Sequence, residues 1–418
     1  MAVADYWCEH AWLDTGPVAG VRVSVVDGRF TAVAPGSSSD GLPRLRGVSL
    51  PGFANAHSHA FHRALRGRTH DGAGSFWTWR ERMYATAAEL DPDSYHALAT
   101  RVYREMARAG ITCVGEFHYL HHAPGGVRYA DPNAMGVALI EAAREAGIRI
   151  TLLDTCYLTS TVDGAPLAGV QGRFGDGDAS AWAARVSLLS APAFATIGAA
   201  VHSVRSVPAG ELAVVASWAA SRNAPLHVHL SEQPAENDAC LAVHGCTPTQ
   251  LLHQHGVLGE RTTAVHATHL TEADIALLGA TRTGTCLCPT TERDLADGLG
   301  PAGPLASAGS PLCTGSDSHA VIDPFEEARG VELHERLRTG RRGTFSPGAL
   351  VNAGTVAGHA ALGWSDAGRI APGYRADLVV TALDSDRTDG VDPAQAVFAA
   401  TAADVRGVMA DGVWIVGS

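Results

Sequence analysis

At 418 residues, with 46% hydrophobic and 18% charged side chains, the chain can bury a large core plus a smaller unit and has the balance of a soluble globular protein. Its formal charge of −12 and pI near 5.9 exclude the basic stripe that grips nucleic acid, and no apolar run approaches the roughly 20 residues that cross a bilayer. All 31 basic residues are arginine, which rules out Schiff-base lysines, phosphate-loop lysines and metal-bridging carbamylated lysines.

The first residues, Met1-Ala2-Val3-Ala4-Asp5, lack the basic and apolar regions of a signal peptide. Cys8, Cys113, Cys156, Cys240, Cys246, Cys286, Cys288 and Cys313 follow no repeated spacing and mostly sit in apolar runs. Such cysteines behave as small buried hydrophobes in a reducing compartment, so a cytoplasmic protein is expected.

Residues 1–49 alternate short apolar runs with turns, and Asp27-Gly28 between Val21–Val26 and Arg29–Val33 is a hairpin signal. The C-terminus repeats the style, with a strand at Ala376–Val380 and a hairpin across Asp411-Gly412. These ends predict one small β-sandwich domain, 1–49 plus 365–418. The middle, 50–364, alternates strands with helices. Apolar residues at helical spacing in Ser94–Ala109 stop at Gly110, and those in Met135–Ala146 stop at Gly147. Strands are predicted up to His57 and over 111–117, 148–153, 195–201, 226–230, 263–267, 283–287 and 311–314. Eight such alternations predict a (β/α)₈ TIM-like barrel, an α/β fold whose chemistry sits at the C-terminal strand ends.

Polar residues collect at those ends. The first strand leads into His57-Ser58-His59, two imidazoles one residue apart that an extended segment points to one side. Such a pair can close on zinc, iron, copper or nickel. Glu116-Phe117-His118-Tyr119, His202-Ser203-Val204-Arg205, His227-Val228-His229-Leu230-Ser231-Glu232, His266-Ala267-Thr268-His269 and Gly315-Ser316-Asp317-Ser318-His319 end later strands. A single instance reads as a hydrogen-bonded core group; the repetition in register argues for a site.

Pro51-Gly52-Phe53-Ala54-Asn55-Ala56-His57-Ser58-His59, His227-Val228-His229 with Glu232, the later His266 and Gly315-Ser316-Asp317-Ser318 resemble the deaminase branch of the amidohydrolase superfamily, as does Gly368–Asp377 in the terminal β segment. Ser75-Phe76-Trp77-Thr78-Trp79-Arg80, Glu116–Tyr119, His202–Arg205 and His229–Gln233 are similar to its N-formimino-L-glutamate deiminase family. The resemblance implies one divalent metal held by His57, His59, His229 and Asp317. Three imidazoles and a carboxylate suit Zn²⁺, with Fe²⁺ also accommodated. A metal of this kind lowers the pKa of water from 15.7 toward about 7. His266 and Asp317 would then orient that water and take its proton, and Glu232 would carry a proton to the departing nitrogen.

The implied substrate, N-formimino-L-glutamate, is a small-molecule dicarboxylate that yields N-formyl-L-glutamate and ammonia during histidine degradation. Two carboxylates call for guanidinium groups; the resemblance places Arg80 and Arg205 there, with Tyr119 and His202 as hydrogen-bond donors. Arg82, two positions along, competes with Arg80, and Trp77 and Trp79 read as packing. His62 stands where the family has glutamine and can donate one hydrogen bond in its place. Pro289-Thr290-Thr291-Glu292-Arg293-Asp294 departs from the family's Ser-Thr-Glu-Ala-Asn pattern, and its added arginine is expected to narrow or shift specificity. A homodimer is also implied. Two alternatives are an aminohydrolase acting on a nucleobase such as guanine and a catalytically silent metal-binding scaffold. The paired arginines oppose the first. Retention of Glu232 and His266 opposes the second.

Overall fold

The computed structural model describes residues 4–14, 16–70 and 76–417, with Phe76 and Trp77 described by backbone alone. Four strands open the chain, β1 (Ala4–Leu13), β2 (Gly16–Val26), β3 (Arg29–Ala34) and β4 (Arg44–Pro51). Eight follow in the middle: β5 (Phe53–Ser58), β6 (Ile111–His118), β7 (Arg149–Cys156), β8 (Ala195–Val201), β9 (Leu226–Leu230), β10 (Thr262–His266), β11 (Gly284–Leu287) and β12 (Leu312–Thr314). Three close it, β13 (Leu378–Thr381), β14 (Val405–Ala410) and β15 (Val413–Val416).

These strands form two sheets. The outer one is mixed, ordered β15-β14-β13-β4-β1-β2-β3, and joins both chain ends. The inner one runs β5 to β12 in sequence order, every pair parallel, as a nearly closed (β/α)₈ barrel. The chain crosses from one sheet to the other at Gly52, where a Cβ would sit 2.4 Å from Thr112 Oγ1 and 2.7 Å from Asp377 Cβ. Only glycine fits that crossing.

Local chemistry explains the alternation. The helix Pro92–Arg108 starts at Asp91, whose Oδ1 accepts the Ser94 N–H at 2.8 Å while Ser94 Oγ accepts the Asp91 N–H at 2.9 Å. A reciprocal cap of this kind contributes about 1 kcal/mol. That helix ends before Gly110 (φ 100°), and the helix Ala134–Ala146 ends at Gly147 (φ 77°), so left-handed glycines turn each helix back toward the next strand. Tyr95, Val102, Tyr103 and Met106 face inward from the first of these helices and pack with Val114, Phe117 and Leu152 of the barrel.

The barrel seam is closed at its top. Ser58 and Asp317 form a parallel bridge between the extensions of β5 and β12. The His59 N–H donates to Asp317 O at 3.1 Å, and the Asp317 N–H donates to His57 O at 3.0 Å. Gly315 permits this approach, since a Cβ there would lie 2.7 Å from His57 N. Among the described residues no helix is long and apolar enough to cross a membrane, and all eight cysteines are free.

Candidate metal centre and substrate pocket

The strand ends bring several of these side chains together. His57 and His59 leave β5, His229 lies in β9, and Asp317 follows β12. Asp317 Oδ1 lies 3.1 Å from His57 Nε2 and 3.3 Å from His59 Nε2. His229 Nε2 lies 3.1 Å from His57 Nε2 and 3.3 Å from His59 Nε2. Four donors held at about 2.0–2.1 Å around a tetrahedral zinc are roughly 3.3 Å apart, so these spacings fit one small cation.

The protonation states agree. His59 Nδ1 faces Phe117 O at 2.9 Å and His229 Nδ1 faces His202 O at 2.9 Å. Each ring thus has a carbonyl to receive its proton and an Nε2 lone pair turned to the cluster. Burial pushes His57 down to about 3, ahead of the opposing pull of Asp317, and neutral imidazole is the metal-binding form. Burial alone would raise Asp317, yet its contacts with the histidines hold the carboxyl well below the usual carboxylate range.

His266 ends β10 beside this cluster, its ligand atom within 4.8 Å of those of His57, His229 and Asp317. Its ring stacks on His229 with centroids 5.7 Å apart. The backbone there is unusual: Ser231, His266, Ala267, Asp317 and His319 all have positive φ, between 42° and 66°. Non-glycine residues in that region cost roughly 1–3 kcal/mol each and gather at functional sites. Glu232 Oε1 is 3.8 Å from His266 Nε2. Burial raises its carboxyl to about 7, the His266 charge opposing the rise, so both protonation states are accessible near neutral pH.

A pocket opens on the cluster, lined by His62, Arg80, Tyr119, His202, Arg205 and Glu232 among others. Trp79 also lines it and packs edge-on against His62, their centroids 5.0 Å apart. Among the described residues Arg205 Nε is buried without a hydrogen-bond partner; burial opposes its charge, while Tyr157, Glu236 and Glu232 favour it. Arg80 Cζ stands 5.6 Å from the Tyr84 ring centroid. His62 Nε2 is 2.8 Å from Tyr119 Oη. Arg82, the competitor to Arg80, is exposed and donates to Arg68 O. Ser75 lies outside the described residues, as does the Trp77 side chain.

The expectation for the loop after β11 is corrected. Residues Pro289–Asp294 form a short helix, and Arg293 turns from the pocket, its Nη2 2.7 Å from Glu326 Oε1 and its Nε donating to Pro289 O. Leu295 lines the pocket instead. Sequence reasoning also missed Tyr157, Tyr84 and Gln171, whose amide nitrogen donates to the Tyr84 hydroxyl at 3.1 Å and to the Tyr157 hydroxyl at 3.3 Å. Only the apolar–polar alternation past β7 could have flagged Tyr157.

Two other features gather no comparable chemistry. His118, His121 and Asp154 form a buried trio with metal-like spacing, but Asp154 is taken by Arg185, whose Nη2 and Nη1 lie 2.8 and 3.0 Å from its two oxygens. A guanidinium that close repels a dication. A cleft lined by Trp12, Pro51, Asn352 and Arg369 lies at the junction of sheet and barrel, away from the strand ends.

The sequence model of the amidohydrolase family matches residues 48–415. The formimidoylglutamate deiminase of Pseudomonas aeruginosa is 36% identical over 435 aligned positions, covering 98% of this chain and 94% of that protein. The 8-oxoguanine deaminase of the same organism is 32% identical, covering 88% and 82%. A crystal structure of an amidohydrolase from Brucella melitensis superposes with a TM-score of 0.91 at 30% identity, covering 99% of this chain and 95% of that one.

Proposed function

The chain belongs to the amidohydrolase family, and on that premise we propose that it is a metal-dependent deiminase that hydrolyses N-formimino-L-glutamate to N-formyl-L-glutamate and ammonia in histidine degradation. The observation that carries this reading is Arg205, whose buried Nε has no hydrogen-bond partner among the described residues, in a pocket that opens on the His57–His59–His229–Asp317 cluster. A buried cation without a hydrogen-bonded counter-charge is costly, and a substrate carboxylate supplies one by bidentate pairing.

In this reading His57, His59, His229 and Asp317 hold one divalent ion, which the donor set favours as Zn²⁺ and which Fe²⁺ also fits. When bound, the ion supplies water activation and Lewis-acid polarisation. Arg205 and Arg80 bind the two carboxylates, and Tyr119, His202 and His62 orient the substrate by hydrogen bonds. His266, through Nε2, and Asp317 hold the water and receive its proton. Glu232 delivers a proton to the amidine nitrogen, which leaves as ammonia while the carbon keeps the water oxygen as a formyl group.

The 8-oxoguanine deaminase relative favours a second reading, a purine aminohydrolase. Trp79, Tyr119, Tyr157 and Phe174 could wall a ring, but a purine offers the Arg205 guanidinium no carboxylate to pair with. Ammonia release from N-formimino-L-glutamate, guanine and 8-oxoguanine separates the two: turnover of either purine above the linear substrate overturns the proposal. The eight free thiols support a reducing, cytoplasmic setting, and the family resemblance supports a homodimer, which sedimentation velocity tests.

A further inference from the structure

On the side of His266 away from Glu232 lies a carboxylate that none of these roles uses. Glu292 is 3% exposed and sits in the short helix after β11. Its Oε1 accepts the Cys288 N–H at 2.8 Å and stands 3.6 Å from His266 Nδ1. That nitrogen is buried and has no hydrogen-bond partner among the described residues. The opposite nitrogen, Nε2, faces Glu232 at 3.8 Å, so the imidazole lies between two carboxylates. The rest of the helix leaves Glu292 to this contact. Arg293 pairs with Glu326, and the Thr290 N–H donates to Glu327 at 3.1 Å.

A neutral imidazole carries one proton, and its position decides which nitrogen offers a lone pair. A carboxylate beside Nδ1 selects the Nδ1–H form and fixes the orientation of the ring. The 3.6 Å gap is an ion-pair distance, longer than a hydrogen bond. Such contacts in substrate-free sites commonly tighten when substrate arrives.

We propose that Glu292 is a positioning residue that holds His266 with its proton on Nδ1, leaving Nε2 to receive a proton from water at the cluster. The proposal rests on the hydrolytic reading of the site and assigns the tautomer that reading needs. The competing role is purely structural, with Glu292 serving only as acceptor for the Cys288 N–H.

The two roles separate in zinc-loaded protein labelled with ¹⁵N-histidine. An Nδ1–H resonance assigned to His266, by its loss in His266→Asn, is expected in the parent protein without substrate, together with an Nε2 shift of an unprotonated ring nitrogen; a second proton on Nε2 overturns the proposal. In Glu292→Gln it should shift, because the amide removes the charge. With N-formimino-L-glutamate, Glu292→Gln should lower kcat by about 10- to 100-fold while KM stays within about twofold and zinc content is unchanged. Absence of the resonance in the parent overturns the proposal. So does a Glu292→Gln enzyme with parental kcat, because its amide oxygen still accepts the Cys288 N–H. If the parent protein does not turn over N-formimino-L-glutamate, the substrate reading fails and the resonance still decides this one.

Discussion

Asp317 meets His57 twice: its N–H donates to the His57 carbonyl at 3.0 Å, and its Oδ1 lies 3.1 Å from His57 Nε2. One contact closes the barrel between β5 and β12, and the other builds the cation cluster. Closure and the proposed metal site are therefore linked. Chelation should abolish ammonia release and also lower the melting temperature, since a ligand present at about 1,000 times its Kd stabilises the folded state by about 4 kcal/mol. Zinc should restore both. Asp317→Asn should lose the metal and gain nothing from added zinc. Full activity in protein with negligible metal by mass spectrometry would sink the linkage.

Glu232 is separate from this cluster. Its nearest charged partner is His266, 3.8 Å away, and the four clustered donors contact one another without it. Glu232→Gln should therefore bind metal normally while kcat falls by about 10²-fold or more, the range for loss of a positioned proton carrier. The check is zinc content and ammonia release on one preparation. Retained turnover removes Glu232 from the proton path.

Arg205 separates function from stability. Its Nε is buried without a hydrogen-bond partner among the described residues, and only charge links it to Glu236 and Glu232, so Arg205→Met should change the melting temperature little. The same change should raise KM for N-formimino-L-glutamate by about 10- to 100-fold, as expected for one charge-assisted interaction. A destabilised variant with unchanged KM would make Arg205 a structural residue.

Much of this was legible in the sequence, for local reasons. Helices that end at Gly110 and Gly147 and the runs between them delimit the barrel strands. The cluster donors fall in short motifs at strand ends, where neighbours in sequence are neighbours in space. What stayed hidden depends on contacts between distant segments or on helical phase. Arg293 reads as a pocket cation because its segment follows a barrel strand end, but one residue on a helix is about 100° of rotation. The turn that buries Glu292 against His266 sends Arg293 toward Glu326. Tyr157 and Gln171 meet only through the loop after β7, and no local pattern marks that pairing.

The junction of the two sheets rests on another such pair. Arg149 in β7 reaches Asp377, next to β13, with Nη2–Oδ2 at 2.5 Å and Nη1–Oδ1 at 3.1 Å. Both side chains are 1% exposed. Asp377 Oδ1 also accepts the Asp411 N–H at 2.9 Å, and Asp411 lies 3.0 Å from Arg149 Nη1. Burial alone would raise the Asp377 carboxyl, yet the Arg149 charge and hydrogen bonds hold it below its ordinary value. A carboxyl depressed in the folded state contributes stability above its unfolded pKa of about 3.9 and loses it as pH falls through the folded value. Asp377→Asn should thus cost about 3–5 kcal/mol at neutral pH by leaving Arg149 buried and underpaired. In urea unfolding, its deficit against the parent protein should shrink below about pH 4, as the parent carboxyl protonates. A deficit independent of pH would mean that shape rather than charge joins the barrel to the outer sheet at this point.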